Sequence, residues 1–113
     1  MFVTDRDFVQ QRKIWKYFPH DKCMILHFKS VETSKCPIYK KYVRAHTVIS
    51  GYFIETVSTS PLKTVVSIIS QTDIKGSIPS SIVNYVASKS PKDWVNNLIK
   101  GCSMVKKRAL TMK

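Results

Sequence analysis

The sequence predicts an α+β fold in which about five antiparallel strands precede one long C-terminal helix. Up to about residue 73, apolar and polar residues alternate, which is typical of strands that bury one face. After Gly76 the apolar residues recur at helical spacing, and this pattern predicts a helix over about residues 79–107. Residues 1–113 are expected to form a single small domain, because this length supports only one core.

Five segments carry the strand pattern, and turn residues separate them. These segments are residues 6–16, 22–31, 42–48, 51–58 and 64–72. Residues 18–22 have turn chemistry, so the first two segments are expected to form a hairpin. Gly51 is interpreted as a bend or bulge between two strands, and the last segment is the most apolar, which predicts a central strand. Pro91 is expected to kink or restart the helix.

The chain carries nineteen Lys and Arg against seven Asp and Glu, which gives a formal net charge of +12. Such an excess favours an anionic partner, either a membrane surface or a nucleic acid, although a solvated surface explains it equally well. No apolar run approaches the roughly 20 residues that span a bilayer. The N-terminus does not resemble a secretory signal either, so the protein is expected in the cytoplasm or bound peripherally to membranes.

Side chains with metal-binding or catalytic chemistry are few and irregularly spaced. The cysteines Cys23, Cys36 and Cys102 do not form a disulfide framework. His20 and His27 lie near the first two cysteines, but a Cys-x2-Cys pair is missing, so neither a metal site nor a cofactor is predicted. A nucleophile elbow, an HExxH motif and a Gly-rich phosphate loop are also missing, and no enzymatic activity is predicted.

Four short motifs occur in the order in which StAR-related lipid-transfer (START) domains carry them. They are RDFV with a following arginine at 6–12, the SV, CP and YVRA pieces within 30–45, D-x-K-G at 73–76 and IPxxIxN at 78–84. Across about residues 5–102 the chain therefore resembles the C-terminal part of a START domain. That family has a helix-grip fold, in which a curved sheet wraps around a long C-terminal helix with a lipid tunnel between them.

The N-terminal helix and the first strands of the family fold have no counterpart in the sequence. The chain is therefore expected to be a single partial START-like domain with two open sheet edges. Because exposed edges are templates for pairing, we expect a homodimer or association with the missing N-terminal portion of the domain.

The resemblance implies a lipid-binding or lipid-transfer module that holds a phospholipid or sterol-like ligand in a groove between sheet and helix. Strand alternation and the resemblance together define candidate lipid-contacting residues. These are Phe8, Gln10, Arg12, Ile25, His27, Ala45, Thr47, Tyr52, Ile54, Val83, Val86, Ala87, Trp94 and Leu98. In sterol-type relatives the arginine that matches Arg12 pairs with an acid on an earlier strand. A phosphate or carboxylate head group would replace that acid here, and snorkelling of Arg12 to water is the alternative.

Other charged residues are assigned structural or docking roles. Arg6, Asp73 and Arg44 are expected to be structural. The basic residues Lys106, Lys107, Arg108 and Lys113 are candidates for docking on an anionic membrane, with a solvated tail as the alternative. A second function stays open, namely a basic nucleic-acid-binding or protein-interaction domain without a lipid ligand. The aromatic residues occupy expected core positions and not stacking motifs, which argues against nucleic acid.

Overall fold

The computed structural model describes residues 4–112. Its elements are β1 (Arg6–Asp7), β2 (Gln10–Lys16), β3 (Cys23–Ser30), β4 (Val43–Arg44), β5 (His46–Thr59), β6 (Leu62–Asp73) and α1 (Ser80–Thr111). The predicted α+β class, with strands followed by a long C-terminal helix, is confirmed. The chain divides into two compact units, residues 1–76 and 77–113.

The main sheet of the first unit has four strands in the order β2–β3–β5–β6, and every neighbouring pair is antiparallel. The prediction of two strands at 42–48 and 51–58 is wrong, because β5 runs continuously through Gly51. The irregularities of β5 lie between Thr47 and Ile49 and between Thr56 and Ser58. A Cβ at Gly51 would lie 2.6 Å from the carbonyl oxygen of Leu26, so this glycine permits close contact with β3.

A short parallel pair accompanies the main sheet and was not predicted. Arg6 of β1 pairs with Val43 of β4, and Asp7 pairs with Arg44. The predicted strand 6–16 is therefore split into β1 and β2, because its first residues bond to the segment before β5 while the rest pairs with β3. The expectation that all strands are antiparallel is wrong for this pair.

Burial is concentrated in β3 and at the start of β5. Cys23, Phe28, Ala45 and Thr47 are the buried residues within the described part of the chain. The expectation that the most apolar strand is central is wrong, since β6 is an edge strand whose residues are all exposed. Apolar composition predicted burial for β6, but β6 has a neighbouring strand on one side only and its side chains are exposed on both faces.

Helix α1 begins at Ser80, one residue after the predicted start at about residue 79. It ends at Thr111, beyond the predicted end at about residue 107. The carbonyl oxygen of Pro79 accepts hydrogen bonds from the backbone N–H groups of Ile82 and Val83, at 3.0 and 3.2 Å. The helix continues through Pro91, so the predicted restart does not occur, and the alternative of a kink at Pro91 stays a prediction. Within residues 4–112, no helix is both long enough and apolar enough to cross a membrane.

Candidate functional site

The strand register determines which side chains share a face of the main sheet. Directly paired residues lie on one face, and the face alternates along each strand. We call the face that carries Arg12 the Arg12 face. It consists of Gln10, Arg12, Ile14 and Lys16 on β2, Met24, Leu26, Phe28 and Ser30 on β3, Ser50, Tyr52, Ile54 and Thr56 on β5, and Thr64, Val66, Ile68 and Ser70 on β6. This face is apolar at its centre and polar along one side.

Arg12 and two aromatic rings form the centre of the Arg12 face. The guanidinium carbon of Arg12 lies 5.0 Å from the centroid of the Phe28 ring, which is a cation–π contact. The Phe28 ring in turn meets Tyr52 edge to face, with centroids 5.2 Å apart at 74°. Arg12 forms no salt bridge with any acid in the described part of the chain. Its charge is therefore available to an external anion.

A polar cluster joins three strands beside this centre. The side-chain amide of Gln10 donates to the hydroxyl oxygen of Thr47 at 2.7 Å. The backbone N–H of Thr47 donates to the hydroxyl of Ser30, also at 2.7 Å. Thr47 is 2% exposed and Ala45, two residues earlier, is equally buried. These contacts hold β2, β3 and β5 together, so Gln10 and Thr47 support the face from within.

The register separates two predicted residues from the rest of the set. Ile25 pairs with Phe53 and His27 pairs with Gly51, so both lie on the face opposite to Arg12. The ring of His27 lies 6.2 Å from that of Trp15 on this opposite face. The expectation that Ile25 and His27 share a face with Tyr52 and Ile54 is wrong, because an offset of one residue inverts a strand.

Sequence reasoning missed the residues of β3 that do lie beside Arg12. Met24, Leu26 and Phe28 occupy that part of the face. Their alternation was visible in the sequence, but the cross-strand register that selects them over their neighbours was not. Phe28 is 8% exposed, and its burial marks it as the anchor of this face.

The remaining predicted lipid-contacting residues lie outside the main sheet. Phe8 stands between β1 and β2 and is 47% exposed. In α1, Val83 and Trp94 are half-buried, whereas Val86, Ala87 and Leu98 are exposed. Contact of these residues with lipid stays a prediction.

The residues predicted to dock on membranes lie at the end of α1. Lys106, Lys107 and Arg108 are exposed within the helix. Lys113 lies outside the described residues.

The family-like motif residues form a network next to the start of β5 and the end of β6, which we call the arginine clasp (Arg6, Asp7, Arg44 and Asp73). Arg6 donates from Nε to the carbonyl oxygen of Ile74 at 2.9 Å and from Nη2 to that of Lys75 at 2.7 Å. Gly76 has a φ of +77°, and a Cβ there would lie 2.6 Å from Arg6 Nη2. The positive φ favours glycine at this position, and a larger residue would also displace the end of the Arg6 side chain.

Arg44 is the second arginine of the clasp. It binds Asp7 through two hydrogen bonds, Nε to Oδ1 at 2.8 Å and Nη2 to Oδ2 at 3.0 Å. It also donates to the carbonyl oxygens of Cys36 and Pro37 and so fixes the loop before β4. The Arg44 hydrogen bonds hold the pKa of Asp7 below its ordinary value. Each of the three guanidinium nitrogens of Arg44 thus donates at least one hydrogen bond.

Asp73 closes the clasp at the end of β6. Its Oδ1 accepts from the backbone N–H of Lys75 at 2.9 Å, and its Oδ2 lies 3.3 Å from the Lys75 ammonium. The backbone hydrogen bond from Lys75, followed by the side-chain contact, lowers the pKa of Asp73. The structural roles expected for Arg6, Arg44 and Asp73 agree with these contacts.

A cavity of about 710 Å³ lies under the loop between β3 and β4. Val31, Pro37, Ile38, Arg44 and Ala45 are among the residues that line it. Of the candidate lipid-contacting residues, the lining includes Ala45 alone. The Arg44 guanidinium in its wall is already bound to Asp7. Lys75 also lines the cavity and pairs with Asp73, so neither of these two cations is free of a salt bridge as Arg12 is within the described residues.

An antiparallel sheet followed by a long C-terminal helix, with these motif contacts, defines a protein of the helix-grip type. The family model of the START domain matches residues 1–108. The chain therefore belongs to the START domain family.

Three relatives illustrate the similarity. START domain-containing protein 10 of Mus musculus is 33% identical over 102 residues, which cover 87% of this chain and 33% of the relative. StAR-related lipid transfer protein 5 of Bos taurus is 31% identical over 98 residues, which cover 87% of this chain and 45% of the relative. The crystal structure of human STARD10 superimposes with a TM-score of 0.65 at 30% identity, over 80% of this chain and 36% of that one. The chain thus spans less than half the length of these relatives.

Proposed function

We propose that this chain supplies a lipid-binding sheet and acts in lipid binding or transfer as a non-catalytic module in the cytoplasm. The observation that carries the proposal is the Arg12 face, which combines apolar side chains with a cation that forms no salt bridge within residues 4–112. An amphipathic lipid matches both features, since its hydrocarbon favours apolar surface and its anionic head group favours a guanidinium. Membership of the START family supports the proposal, as does the name of one relative, StAR-related lipid transfer protein 5.

The ligand class follows from the chemistry of Arg12. The Phe28 ring contacts the guanidinium, and the N–H groups at its edge can form two parallel hydrogen bonds to a phosphate or carboxylate. A sterol offers a single neutral hydroxyl and cannot accept both of these hydrogen bonds in parallel. We therefore favour a phospholipid over a sterol-like ligand.

The test combines identification of bound lipid with a matched pair of variants. Lipids are extracted from the purified chain and identified by mass spectrometry, and uptake of fluorescent phosphatidic acid from vesicles is then titrated. Lys13 provides the control, because it neighbours Arg12 on β2, lies on the opposite face and makes its own cation–π contact, 4.8 Å from Trp15. Arg12→Gln should weaken uptake about tenfold or more, the equivalent of one charge-assisted hydrogen bond. Lys13→Gln should leave it within about twofold.

Two results would overturn the proposal. A chain that carries no lipid and takes none from vesicles does not have this function. If that lipid-free chain instead shifts labelled RNA, the nucleic-acid alternative replaces it. Equal losses of uptake for Arg12→Gln and Lys13→Gln would point to net charge, and Arg12 would lose its role in recognising the head group.

The proposal extends to a protein partner at the sheet edges. Strands β2 and β6 are the edges of the main sheet, and β6 exposes large apolar residues such as Ile69, which is 64% exposed. Unpaired edges with apolar side chains favour strand addition, so a second copy or the N-terminal portion of a START domain would pair there. Light scattering during size exclusion tests this expectation. A stable monomer at about tens of micromolar, a range suited to moderate affinity, would contradict it.

A further inference from the structure

Three side chains with metal-ligand atoms meet on the face opposite to Arg12, where β3 begins. The ligand atoms of His20, Cys23 and Glu55 all lie within 4.8 Å of one another, and no other group of this kind occurs among residues 4–112. Cys23 Sγ lies 3.1 Å from His20 Nε2, and Glu55 Oε1 lies 3.4 Å from the same nitrogen. We propose that these residues bind a divalent transition-metal ion, and that zinc is the ion favoured by their donor set.

The backbone holds all three residues in place. The N–H of Cys23 donates to the carbonyl oxygen of His20 at 3.0 Å, and this turn brings two residues three positions apart to one side. Glu55 pairs directly with Cys23 across β3 and β5, which places their Cβ atoms about 4.5–5.5 Å apart. The N–H of Thr56 donates to the carbonyl oxygen of Lys22 at 3.0 Å and holds the turn against β5. The arrangement therefore follows from the hairpin and its register.

The distances are close to those of a tetrahedral zinc site. With Zn–S of about 2.3 Å and Zn–N and Zn–O of about 2.0–2.1 Å, sulfur and nitrogen lie about 3.6 Å apart and nitrogen and oxygen about 3.4 Å apart. The Glu55–His20 distance of 3.4 Å already agrees, and the Cys23–His20 distance of 3.1 Å must widen slightly. Cys23 Sγ also lies 3.6 Å from His20 Nδ1, so the ring must turn to direct Nε2 at the ion. The His20 side chain is 49% exposed, which leaves room for that rotation.

The donor set favours zinc among the available metals. Zinc binds thiolate and imidazole ligands more readily than magnesium or calcium does, and a carboxylate is a common third ligand of zinc. Solvent would supply the fourth ligand, since Glu55 and His20 are both accessible. Asp21 Oδ1 lies 3.9 Å from His20 Nδ1, where an outer carboxylate can orient a metal-bound imidazole. The backbone N–H of Lys22 now approaches that nitrogen at 3.4 Å, a long contact that donation to Asp21 would replace.

A catalytic triad does not explain the same residues. In a triad the histidine uses its two ring nitrogens for two different partners. Here Cys23 and Glu55 both approach Nε2 most closely, and Asp21 lies 3.9 Å from Nδ1, beyond hydrogen-bond distance. A bound metal ion would supply positive charge beside the Cys23 thiolate and the Glu55 carboxylate. Cys23 would release its proton to solvent as the sulfur–metal bond forms.

The experiment measures Zn²⁺ and Co²⁺ binding to the full chain without lipid. The starting protein is the Cys36→Ser/Cys102→Ser variant, because both of those thiols are exposed and would bind metal on their own. Zn²⁺ affinity is measured by competition with a chromophoric chelator, and Co²⁺ reports thiolate ligation through its charge-transfer absorption. Glu55→Gln and Cys23→Ser remove one ligand each. Glu32→Gln removes an exposed carboxylate elsewhere and is the matched control.

We expect one ion per chain, a thiolate–cobalt band in the starting protein and a loss of that band in Cys23→Ser. Loss of a residue that only hydrogen-bonds to a metal ligand already weakens metal binding about tenfold. Glu55→Gln removes a direct ligand and should therefore weaken Zn²⁺ binding by at least that factor, whereas Glu32→Gln should not change it. If Cys23→Ser fails to fold, Glu55→Gln decides the question, because its side chain is partly exposed. Unchanged affinity in Glu55→Gln, or a starting protein without the cobalt band, would overturn the proposal. Because lipid is absent, neither result bears on the lipid-binding proposal.

Discussion

Two groups of cationic side chains in this protein have opposite surroundings. In the arginine clasp, Arg6 donates to backbone carbonyl groups and Arg44 is neutralised by Asp7. On the Arg12 face and at the end of α1, Arg12 and residues 106–108 form no salt bridge with the acids of residues 4–112. The difference teaches that the net charge of +12 has two components. One maintains the fold, and the other is left for an anion from outside the chain.

The largest expected effect concerns Arg6. Arg6→Ala removes the charged donor from the carbonyl groups of Ile74 and Lys75, which lie 2.9 and 2.7 Å away. Because hydrogen bonds to charged groups contribute about 1.5–3 kcal/mol, the free energy of unfolding should fall by about 2–3 kcal/mol. Urea denaturation followed by circular dichroism measures it. A loss below about 0.5 kcal/mol, typical of an ordinary surface site, would show that the clasp does not maintain the fold.

A second prediction uses the pH dependence of the clasp. The folded pKa of Asp7 is lowered by Arg44, so the contribution of this pair to stability is complete above the ordinary carboxyl pKa of 3.8 and is lost as the pH falls below it. The pKa of Asp73 is also lowered, by the hydrogen bonds from Lys75, so its contribution to stability is lost over the same direction of pH change. Asp7→Asn should be less stable than the parent at pH 7, and the difference should shrink below about pH 4. The exposed Asp93→Asn is the control, and a pH-independent difference for Asp7→Asn would contradict the charge-based role.

Local pattern predicted what depends on neighbouring residues in the sequence. The start of α1 directly after Pro79 and the hairpin of β2 and β3 follow from turn and helix chemistry that is visible in short segments. The structural roles of Arg6 and Arg44 came from motifs whose order is characteristic of the family. These features need no knowledge of which strand lies beside which.

Register and pairing could not be predicted in the same way. The placement of Ile25 and His27 depended on a cross-strand offset that a single sequence does not encode locally. The same limit hid Glu55, which joins His20 and Cys23 only because β5 pairs with β3 in one register. The parallel pairing of β1 with β4 also depends on contacts distant in the sequence.

The third prediction concerns the basic end of α1. The test variant replaces four residues with glutamine: Lys106, Lys107, Arg108 and Lys113. Each cation near an anionic membrane contributes about 1 kcal/mol, or about fivefold in affinity, within a screening length of about 8 Å at physiological salt. Liposome binding and transfer between anionic vesicles should therefore weaken, most at low salt, while lipid capacity stays unchanged.

The control for this variant removes the same charge elsewhere. It replaces four other exposed lysines with glutamine: Lys35, Lys40, Lys41 and Lys63. Transfer at the parent rate by the test variant at low ionic strength would contradict docking through the end of α1. Equal losses in both variants would show that net charge, and not this part of the helix, attracts the membrane.

The smallest expected effect separates Arg12 most sharply from the clasp. Arg12→Gln removes a cation–π contact at an exposed position, worth about 0.5–1 kcal/mol. Lys13→Gln removes a similar contact with Trp15 from the opposite face. Both variants should therefore lower the free energy of unfolding by less than about 1 kcal/mol, measured under the conditions used for Arg6→Ala. A loss of about 2–3 kcal/mol in Arg12→Gln alone, the size expected for a charged hydrogen bond, would mean that Arg12 already has a partner within the fold. Weak uptake of anionic lipid by that variant would then be a consequence of a destabilised sheet. If Arg12→Gln instead changes the free energy of unfolding very little but lowers lipid uptake about tenfold, the Arg12 charge serves to bind a ligand.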